Sequence, residues 1–289
     1  MSRFSAIGRI FLQHKYQLIL TYTLYGLEML GMTLRPYFLG EAVNDLLKGS
    51  YRGLIILAVI HLAWAVIGTF RHMYDTRAYT AIYTSFVTRM LSRKKNQDVS
   101  KLSAHSTLAR EFVDFLEYDL YYVISAFFEI FGSLVLLLVY DKTVVMICLS
   151  ILLPVLWMSY IFGKRLGALN LGKNDELEKQ VDVIGTSDPE KITQHYQHLR
   201  KWQIKISDQE AWNFGIMELL VLVVIILSLL YVTNTGNKIL LAGDIIGIYN
   251  YILRFATGLD TIPYTIQRLS SLKDITQRIA VEEDEDSDE

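Results

Sequence analysis

Long apolar blocks alternate with charged stretches along this chain of 289 residues. Each block is about as long as a helix must be to cross a bilayer, roughly 20 residues. Apart from closed β-barrels, only helices can cross a bilayer, because every backbone group must form its hydrogen bond within the segment. The pattern therefore predicts an all-α, polytopic membrane protein with six transmembrane helices. The spans cover about 16–34, 53–70, 121–140, 143–163, 214–232 and 239–264.

The connections between the spans differ in length. Those on one side are short, whereas 71–120 and 164–212 on the other side are each about fifty residues long. Both long connections are poor in Gly and Pro and have helical patterning. The second contains the stretch from Ser187 to Glu190, which has the form of a capping box with Pro in the first turn of a helix. We expect the spans to continue as long helices well outside the bilayer.

Basic residues are concentrated on the side of the long connections. The opposite side holds only Arg35, Lys48, Arg52, Lys142 and Lys238. Because Lys and Arg accumulate in cytoplasmic loops, the long helical extensions and both termini are predicted to be cytoplasmic. The expected location is the cell (inner) membrane. This topology already accounts for the basic residues, so no nucleic-acid partner is expected.

Composition and charge separate an acidic tail from the rest of the chain, and the cysteine count excludes a disulfide within it. Apolar residues make up 52% of the chain and charged residues 20%, with a net charge of −2. Residues 282–289 include seven acids, and without these seven the net charge of −2 becomes +5. Such a dense run of like charge is typical of a solvated tail, so the chain divides into a six-helix domain, 1–280, and an acidic disordered tail, 281–289. Cys148 is the only cysteine, which excludes a disulfide within the chain.

The sixth span and the helix after it have a particular order of residues. A Gly follows the outer turn, a second Gly with a polar neighbour opens the span, an aromatic residue comes one or two turns later, and an Arg-Ile pair ends the helix. These residues are Gly236, Gly243-Asp244, Tyr251 and Arg278-Ile279. Together with the layout of six spans and the turn RPYFLGEAVNDLLKG at 35–49, they resemble the transmembrane domain of type I ABC exporters.

The resemblance implies a fold and a set of partners. In that family, six helices per subunit extend far into the cytoplasm, coupling helices at two inner turns meet ATPase domains, and one set of six helices forms half of the pathway. We therefore expect a homo- or heterodimer in the lipid bilayer. An ATPase domain usually follows the Arg-Ile pair, but here the acidic tail follows it, so a separate ABC ATPase subunit is the expected partner. The first inner turn also departs from the family, with LAREFVDFLEYDL at 108–120 in place of the usual Gly and Ser-Arg pair.

Two motifs have spacings that suggest chemistry. Gly167 to Lys173 fits the spacing G-x4-G-K, but Asn174 replaces the Ser or Thr that would bind magnesium, and a membrane helix precedes the motif where a phosphate loop needs a strand. His195 and His198 share a helix face, but no Cys or close acid pair completes a metal site, so a solvated face is expected. We expect no enzyme activity, cofactor or metal in this chain.

Ionisable residues within the spans are the candidates for a substrate pathway: Glu28, His61, Glu129 and Arg254. Glu28, Glu129 and Arg254 are expected near the middle of the bilayer, where a charge facing lipid costs at least about 2.5 kcal/mol. They either form a polar pathway for a cationic or amphipathic ligand, or pair internally, Glu28 or Glu129 with Arg254, and only lock the packing. With one Arg for two acids, we expect one Glu to be protonated or paired with a ligand.

Three functions fit the sequence. The first is a membrane-spanning component of an ABC-type transporter, which forms a substrate pathway as a dimer and relies on a separate ATPase subunit. The second is a motorless membrane scaffold or regulator with the same fold, favoured by the acidic tail in the place of a motor. The third is an ion-coupled carrier that uses the buried Glu residues, which fits the acids but not the layout of the helices.

Overall fold

The computed structural model describes residues 12–92, 99–234 and 240–285, and their regular elements are all helical. This confirms the all-α prediction. The α-helices are α1 Lys15–Leu47, α2 Arg52–Ser92, α3 Val99–Asp114, α4 Leu120–Phe127, α5 Ser133–Tyr140, α6 Lys142–Ser150, α7 Leu152–Glu178, α8 Gln180–Gly185, α9 Pro189–Asn234 and α10 Ala242–Glu285. Two π-helical segments, Phe115–Asp119 and Phe128–Gly132, connect α3 to α4 and α4 to α5.

The chain divides into two compact units. The first combines Met1–Tyr140 with Ile239–Glu289, and the second is Asp141–Lys238. The first unit therefore contains α1 to α5 together with α10, and the second contains α6 to α9. Each unit is described by itself below.

Four helical stretches of the described chain are long and apolar enough to cross a membrane: Arg52–Arg89, Ala109–Tyr140, Lys142–Gly185 and Pro189–Asn234. They contain the second, third, fourth and fifth predicted spans. The first predicted span lies within α1, and the sixth overlaps α10 from Ala242 onward, but neither helix is among these four stretches. Six crossings therefore stay a prediction.

The hairpin of α1 and α2 is closed by a tight turn around Gly49. The Ser50 N–H donates to Asp45 O at 2.8 Å and the Gly49 N–H to Leu46 O at 3.0 Å, the two bonds of a Schellman cap. Gly49 has φ of +74°, a left-handed conformation that costs a glycine little. Asp45 Oδ2 then accepts from the Gly53 N–H at 2.8 Å and so caps the start of α2.

The register of this hairpin sets which part of α1 lies beside the apolar run of α2. A Cβ atom on Gly53 would lie 2.8 Å from Ala42 Cα, and one on Gly31 would lie 3.3 Å from the Trp64 side chain. The apolar run 53–70 of α2 therefore lies beside about 26–42 of α1, not beside 16–34. Helix α1 also continues through Pro36, where the sequence predicted the end of the first span.

Before that apolar region, α1 packs with the second half of α2 and with α3. Their contact is a cluster of buried apolar residues, Leu18, Tyr79, Ile82, Phe86, Ala109, Phe112, Val113, Phe115 and Leu116. The hydroxyls of Tyr22 and Tyr79 both donate to the carbonyl of Leu116, at 3.2 and 3.0 Å. Leu116 lies in a π-helical segment, where the regular bonding pattern of the α-helix is interrupted. The helices thus form a packed bundle well beyond the apolar run.

At the other end of α1, two glycines let it cross α10 in close contact. A Cβ atom on Gly243 would lie 1.9 Å from Gly40 O, so only glycine fits there. The Gly243 N–H donates to Asn44 Oδ1 at 2.8 Å, and Asn44 Nδ2 donates to Asp244 Oδ1 at 3.1 Å. This gives a physical reason for the Gly-Asp pair at the start of the sixth predicted span. Gly236, the other glycine of that motif, lies outside the described residues.

The second unit is built on the long helices α7 and α9. A Cβ atom on Gly172 would lie 2.7 Å from the Trp202 ring, which marks close packing between the two helices. Helix α9 begins at Pro189, as predicted, but its cap is Asp188, whose Oδ1 accepts from the Glu190 N–H at 3.0 Å. Ser187, the expected cap, has φ of +52°.

The predicted acidic tail lies partly within the described chain. Helix α10 continues to Glu285, so residues 281–285 are helical. Residues 286–289 lie outside the described residues.

Candidate functional site

Arg71 of α2 joins two carboxylates in the first unit. Its Nε donates to Glu28 Oε2 on α1, and its Nη1 donates to Asp75 Oδ2 one turn further along α2. The three side chains are only 11% to 13% exposed. The guanidinium also lies over the rings of Tyr25 and Tyr121, at 5.3 and 5.4 Å from their centroids. This arrangement holds α1, α2 and α4 together through one buried cation.

Glu28 therefore has a different partner from the one that the sequence suggested. The sequence offered a ligand or Arg254, whereas the structure gives Glu28 an ion pair with Arg71. The hairpin register explains the difference, because Glu28 lies beside Gly68, close to the C-terminal end of the second apolar run. Glu28 is thus engaged within the protein.

Pro36 interrupts the hydrogen bonding of α1, and α10 supplies the missing donor. Proline has no N–H, so the carbonyl of Met32, four residues earlier, has no helical donor. Arg254 Nη1 donates to this carbonyl at 3.2 Å. Arg254 therefore has a structural role beside any role in ligand binding.

The next backbone hydrogen bond of α1 is replaced by a side chain of α10, that of Tyr251. Its hydroxyl donates to Thr33 O at 2.9 Å and accepts from the Tyr37 N–H at 3.0 Å. In a regular helix these two groups bond to each other. A side chain inserted into the ladder in this way is a recognised cause of helix bending. The Tyr251 ring itself is completely buried.

Glu129 lies near Arg254 without pairing with it. It belongs to a π-helical segment, and its Cβ lies 3.0 Å from the place of a Cβ on Gly258, one turn beyond Arg254 on α10. In the described part of the chain, Nε and Nη2 of Arg254 are buried and have no hydrogen-bond partner. The pairing of Glu129 with Arg254 that the sequence suggested is therefore not formed.

A cavity of about 460 Å³ opens between α1, α2 and α10. Its polar lining residues are Arg35, His61, Asn250 and Arg254, and its walls are otherwise apolar. Two of the four sequence candidates, His61 and Arg254, thus line one cavity, whereas Glu28 and Glu129 are not among its lining residues.

The sequence did not identify Arg35, Arg71 or Asp75 as parts of these sites. Arg35 precedes a proline, and such a residue is normally found at or after the end of a helix. Arg71 and Asp75 follow the second apolar block and were assigned to the cytoplasmic connection. The available signal was the i, i+4 spacing of Arg71 and Asp75, which is typical of an ion pair on one helix face.

The histidines of the second unit differ from each other. His195 is 3% exposed, and its Nδ1 lies 2.9 Å from Glu176 Oε1. The prediction of a solvated face is therefore wrong for His195. His198 is exposed and lies 3.6 Å from the same carboxylate oxygen.

The segment with phosphate-loop spacing lies inside a helix. Gly167 to Lys173 is part of α7, which runs from Leu152 to Glu178. A phosphate loop binds its anion through free backbone N–H groups, and in the interior of a helix these groups are used by the helix itself. The geometry of α7 is thus unsuited to nucleotide binding at this motif.

These features can be compared with known proteins. The model of a family described as the ABC transporter transmembrane region matches residues 7–240. A search of curated proteins gives no match. The match includes α1 to α9 and ends before α10, so it covers the predicted turn at 35–49 but not the residues of the last predicted span that carry the resemblance. The chain therefore belongs to the ABC transporter transmembrane region family, and it is a multi-pass membrane component of an ABC-type transporter.

Proposed function

We propose that this chain forms a substrate pathway as a dimer and is driven by a separate ABC ATPase subunit. Membership of the family supports the transport role. In that family two sets of six helices enclose the pathway, and this chain supplies one set.

The observation that carries the proposal is the packed bundle at the start of α1. Helix α2 continues from the end of its apolar run at 70 to Ser92, about 30 Å at 1.5 Å per residue. Its buried residues Tyr79, Ile82 and Phe86 pack against α1 and α3. A rigid bundle of this length can transmit movement from an ATPase to the membrane part.

The geometry of α7 supports a motor on another subunit. The segment from Gly167 to Lys173 has the spacing of a phosphate loop but lies in the middle of this helix. ATP hydrolysis is therefore expected from the partner, and this chain contributes the pathway.

Gentle co-purification of the tagged full chain from its native membrane tests the proposal. Mass spectrometry is expected to identify an ABC ATPase in a fixed ratio to two copies of a transmembrane subunit. Membranes lacking the tag control for nonspecific capture. A stable homodimer with no ATPase would contradict the proposal and favour a motorless scaffold or an ion-coupled carrier, for which Glu129 would be the acid to test.

A further inference from the structure

The cavity between α1, α2 and α10 has two cationic side chains and no carboxylate among its lining residues. Arg254 uses Nη1 for the neutral carbonyl of Met32, and its Nε and Nη2 have no partner in the described chain. The Arg35 guanidinium lies 4.9 Å from the centroid of the Trp64 ring, a contact that leaves its charge uncompensated.

This charge arrangement is unfavourable without an anion. The cavity lies alongside the apolar run 53–70, and once this run is in a bilayer, lipid replaces the bulk water that would screen the two guanidiniums. Like charges repel more strongly where the effective dielectric constant is low, and charged residues within spans are normally paired. The nearby acids meet this need only in part, because Glu28 is engaged by Arg71, and Glu129 acts on Arg254 through its charge without accepting a hydrogen bond from the buried Nε or Nη2.

The remaining walls are suited to a hydrocarbon chain. Met32, Leu39, Leu54 and Leu57 surround the charged end, and the volume of about 460 Å³ is within the range of small-molecule sites. Asn250 and His61 add polar groups that can orient a head group. A ligand that fits this lining has one anionic end and one apolar end.

We propose that this cavity binds an amphipathic anion, with a phosphate or carboxylate head group between Arg35 and Arg254 and an alkyl chain along the apolar wall. The sequence suggested a cationic or amphipathic ligand, and the residues that line the cavity favour an amphipathic one with an anionic head group. The binding of this anion does not depend on the proposed function. Only the further step, that this anion is the transported substrate, rests on it.

Dodecyl phosphate is a suitable probe for the full chain purified in the neutral detergent dodecyl maltoside. Because a ligand that binds only the folded state raises the unfolding temperature, its titration gives an apparent dissociation constant. We expect saturable stabilisation by dodecyl phosphate and none by dodecanol, which has the same chain and no charge. Inorganic phosphate alone is expected to bind far more weakly than dodecyl phosphate.

Arg35→Gln is the decisive variant, because Arg35 makes no hydrogen bond to the described part of the backbone that its loss would break. We expect it to weaken dodecyl phosphate binding about tenfold or more, the usual effect of losing a charge-assisted hydrogen bond. Arg165→Gln, at an exposed position on α7, is the matched control and should bind as the wild type does. Arg254→Lys, which keeps a charge, is expected to weaken binding less than Arg35→Gln.

Three results would overturn the inference: unchanged affinity in Arg35→Gln, equal stabilisation by dodecanol, or equal affinity for inorganic phosphate. The anion could be a lipid of the bilayer or an amphiphile from solution, and nanodiscs of neutral and of anionic lipid distinguish the two. Weaker probe binding in the anionic discs assigns the site to a bilayer lipid, and equal binding assigns it to an amphiphile from solution. Neither ATP nor an ATPase is present, so failure here is distinct from failure of the proposed function.

Discussion

The guanidinium of Arg254 donates a hydrogen bond of 3.2 Å to the backbone carbonyl of Met32. This carbonyl is the one that Pro36 leaves without a donor, four residues further along α1. Two helices far apart in sequence are therefore joined at the point where one of them is interrupted. The continuation of α1 past Pro36 and the position of Arg254 depend on each other.

Pro36→Ala should reduce the dependence of the fold on Arg254. The alanine introduced by this substitution has an N–H that can donate to Met32 O, so the bond from Arg254 becomes dispensable. We expect Arg254→Gln to lower the free energy of unfolding less in the Pro36→Ala background than in the wild type. The coupling energy in this double-mutant cycle should be about 0.5–3 kcal/mol, measured by thermal or denaturant unfolding in detergent.

The control for this cycle is Arg254→Gln combined with Gly215→Ala, since Gly215 lies on α9 in the second unit and has nothing within 4 Å of its Cβ position. That pair should be additive. A cost for Arg254→Gln that is the same in the wild type and in the Pro36→Ala background would show that the Met32 contact contributes nothing.

Tyr251→Phe should destabilise the first unit although it removes a single oxygen atom. The hydroxyl bridges Thr33 O and the Tyr37 N–H, and both groups lose their partner. A buried polar group left unsatisfied costs about 1–3 kcal/mol. We expect a lower unfolding temperature for Tyr251→Phe than for Tyr249→Phe, where the ring is 42% exposed.

Equal unfolding temperatures for the two Phe variants would mean that Thr33 and Tyr37 re-form a direct helical bond. In that case the Tyr251 hydroxyl does not maintain the interruption of α1, and Pro36 alone accounts for it.

The four apolar helical stretches could be predicted from the sequence because their apolar runs are long and contain few charges. Apolar side chains are stable against either lipid or apolar protein neighbours, so the run alone predicts the helix without knowledge of its packing partners. The first and last spans were harder to place. Polar residues on the helices that contain them, such as Asn44 on α1 and Asp244 on α10, are satisfied by each other across two hundred residues of sequence.

Pro36 of α1 is a second place where the local sequence was not enough to predict the structure. A proline normally predicts the end of a helix, and Arg35-Pro36 was interpreted in that way. The helix continues because Arg254 and Tyr251 replace the missing bonds from another helix. No local pattern contains that information. The partner of Glu28 was missed for the related reason that the register of α1 against α2 is set by glycines at their contact.

Arg71→Gln should destabilise the protein more than Glu28→Gln does. Without Arg71, Glu28 and Asp75 face each other as two nearly buried carboxylates with no cation between them. Removing one member of a buried ion pair costs about 3–5 kcal/mol, because the remaining charge is left uncompensated. Glu28→Gln leaves Arg71 paired with Asp75 and should cost less.

The triple variant Arg71→Gln, Glu28→Gln, Asp75→Asn separates charge from packing. It should recover part of the stability that Arg71→Gln loses, as measured by unfolding in detergent at neutral pH. If the triple variant is no more stable than Arg71→Gln alone, then the contacts of Arg71 with Tyr25 and Tyr121 matter and its charge does not.

Gly243→Ala should disrupt the crossing of α1 and α10. The new Cβ would lie 1.9 Å from Gly40 O, a backbone atom that cannot move without shifting α1. Overpacking of this kind typically costs about 1–3 kcal/mol, and separation of the helices would also break the bond from the Gly243 N–H to Asn44. Gly215→Ala is the matched control, because added Cβ atoms in open helical positions stabilise by about 0.5–1 kcal/mol. The unfolding temperature should therefore fall for Gly243→Ala and stay level or rise for Gly215→Ala. An unchanged value for Gly243→Ala would mean that the two helices do not touch at these glycines.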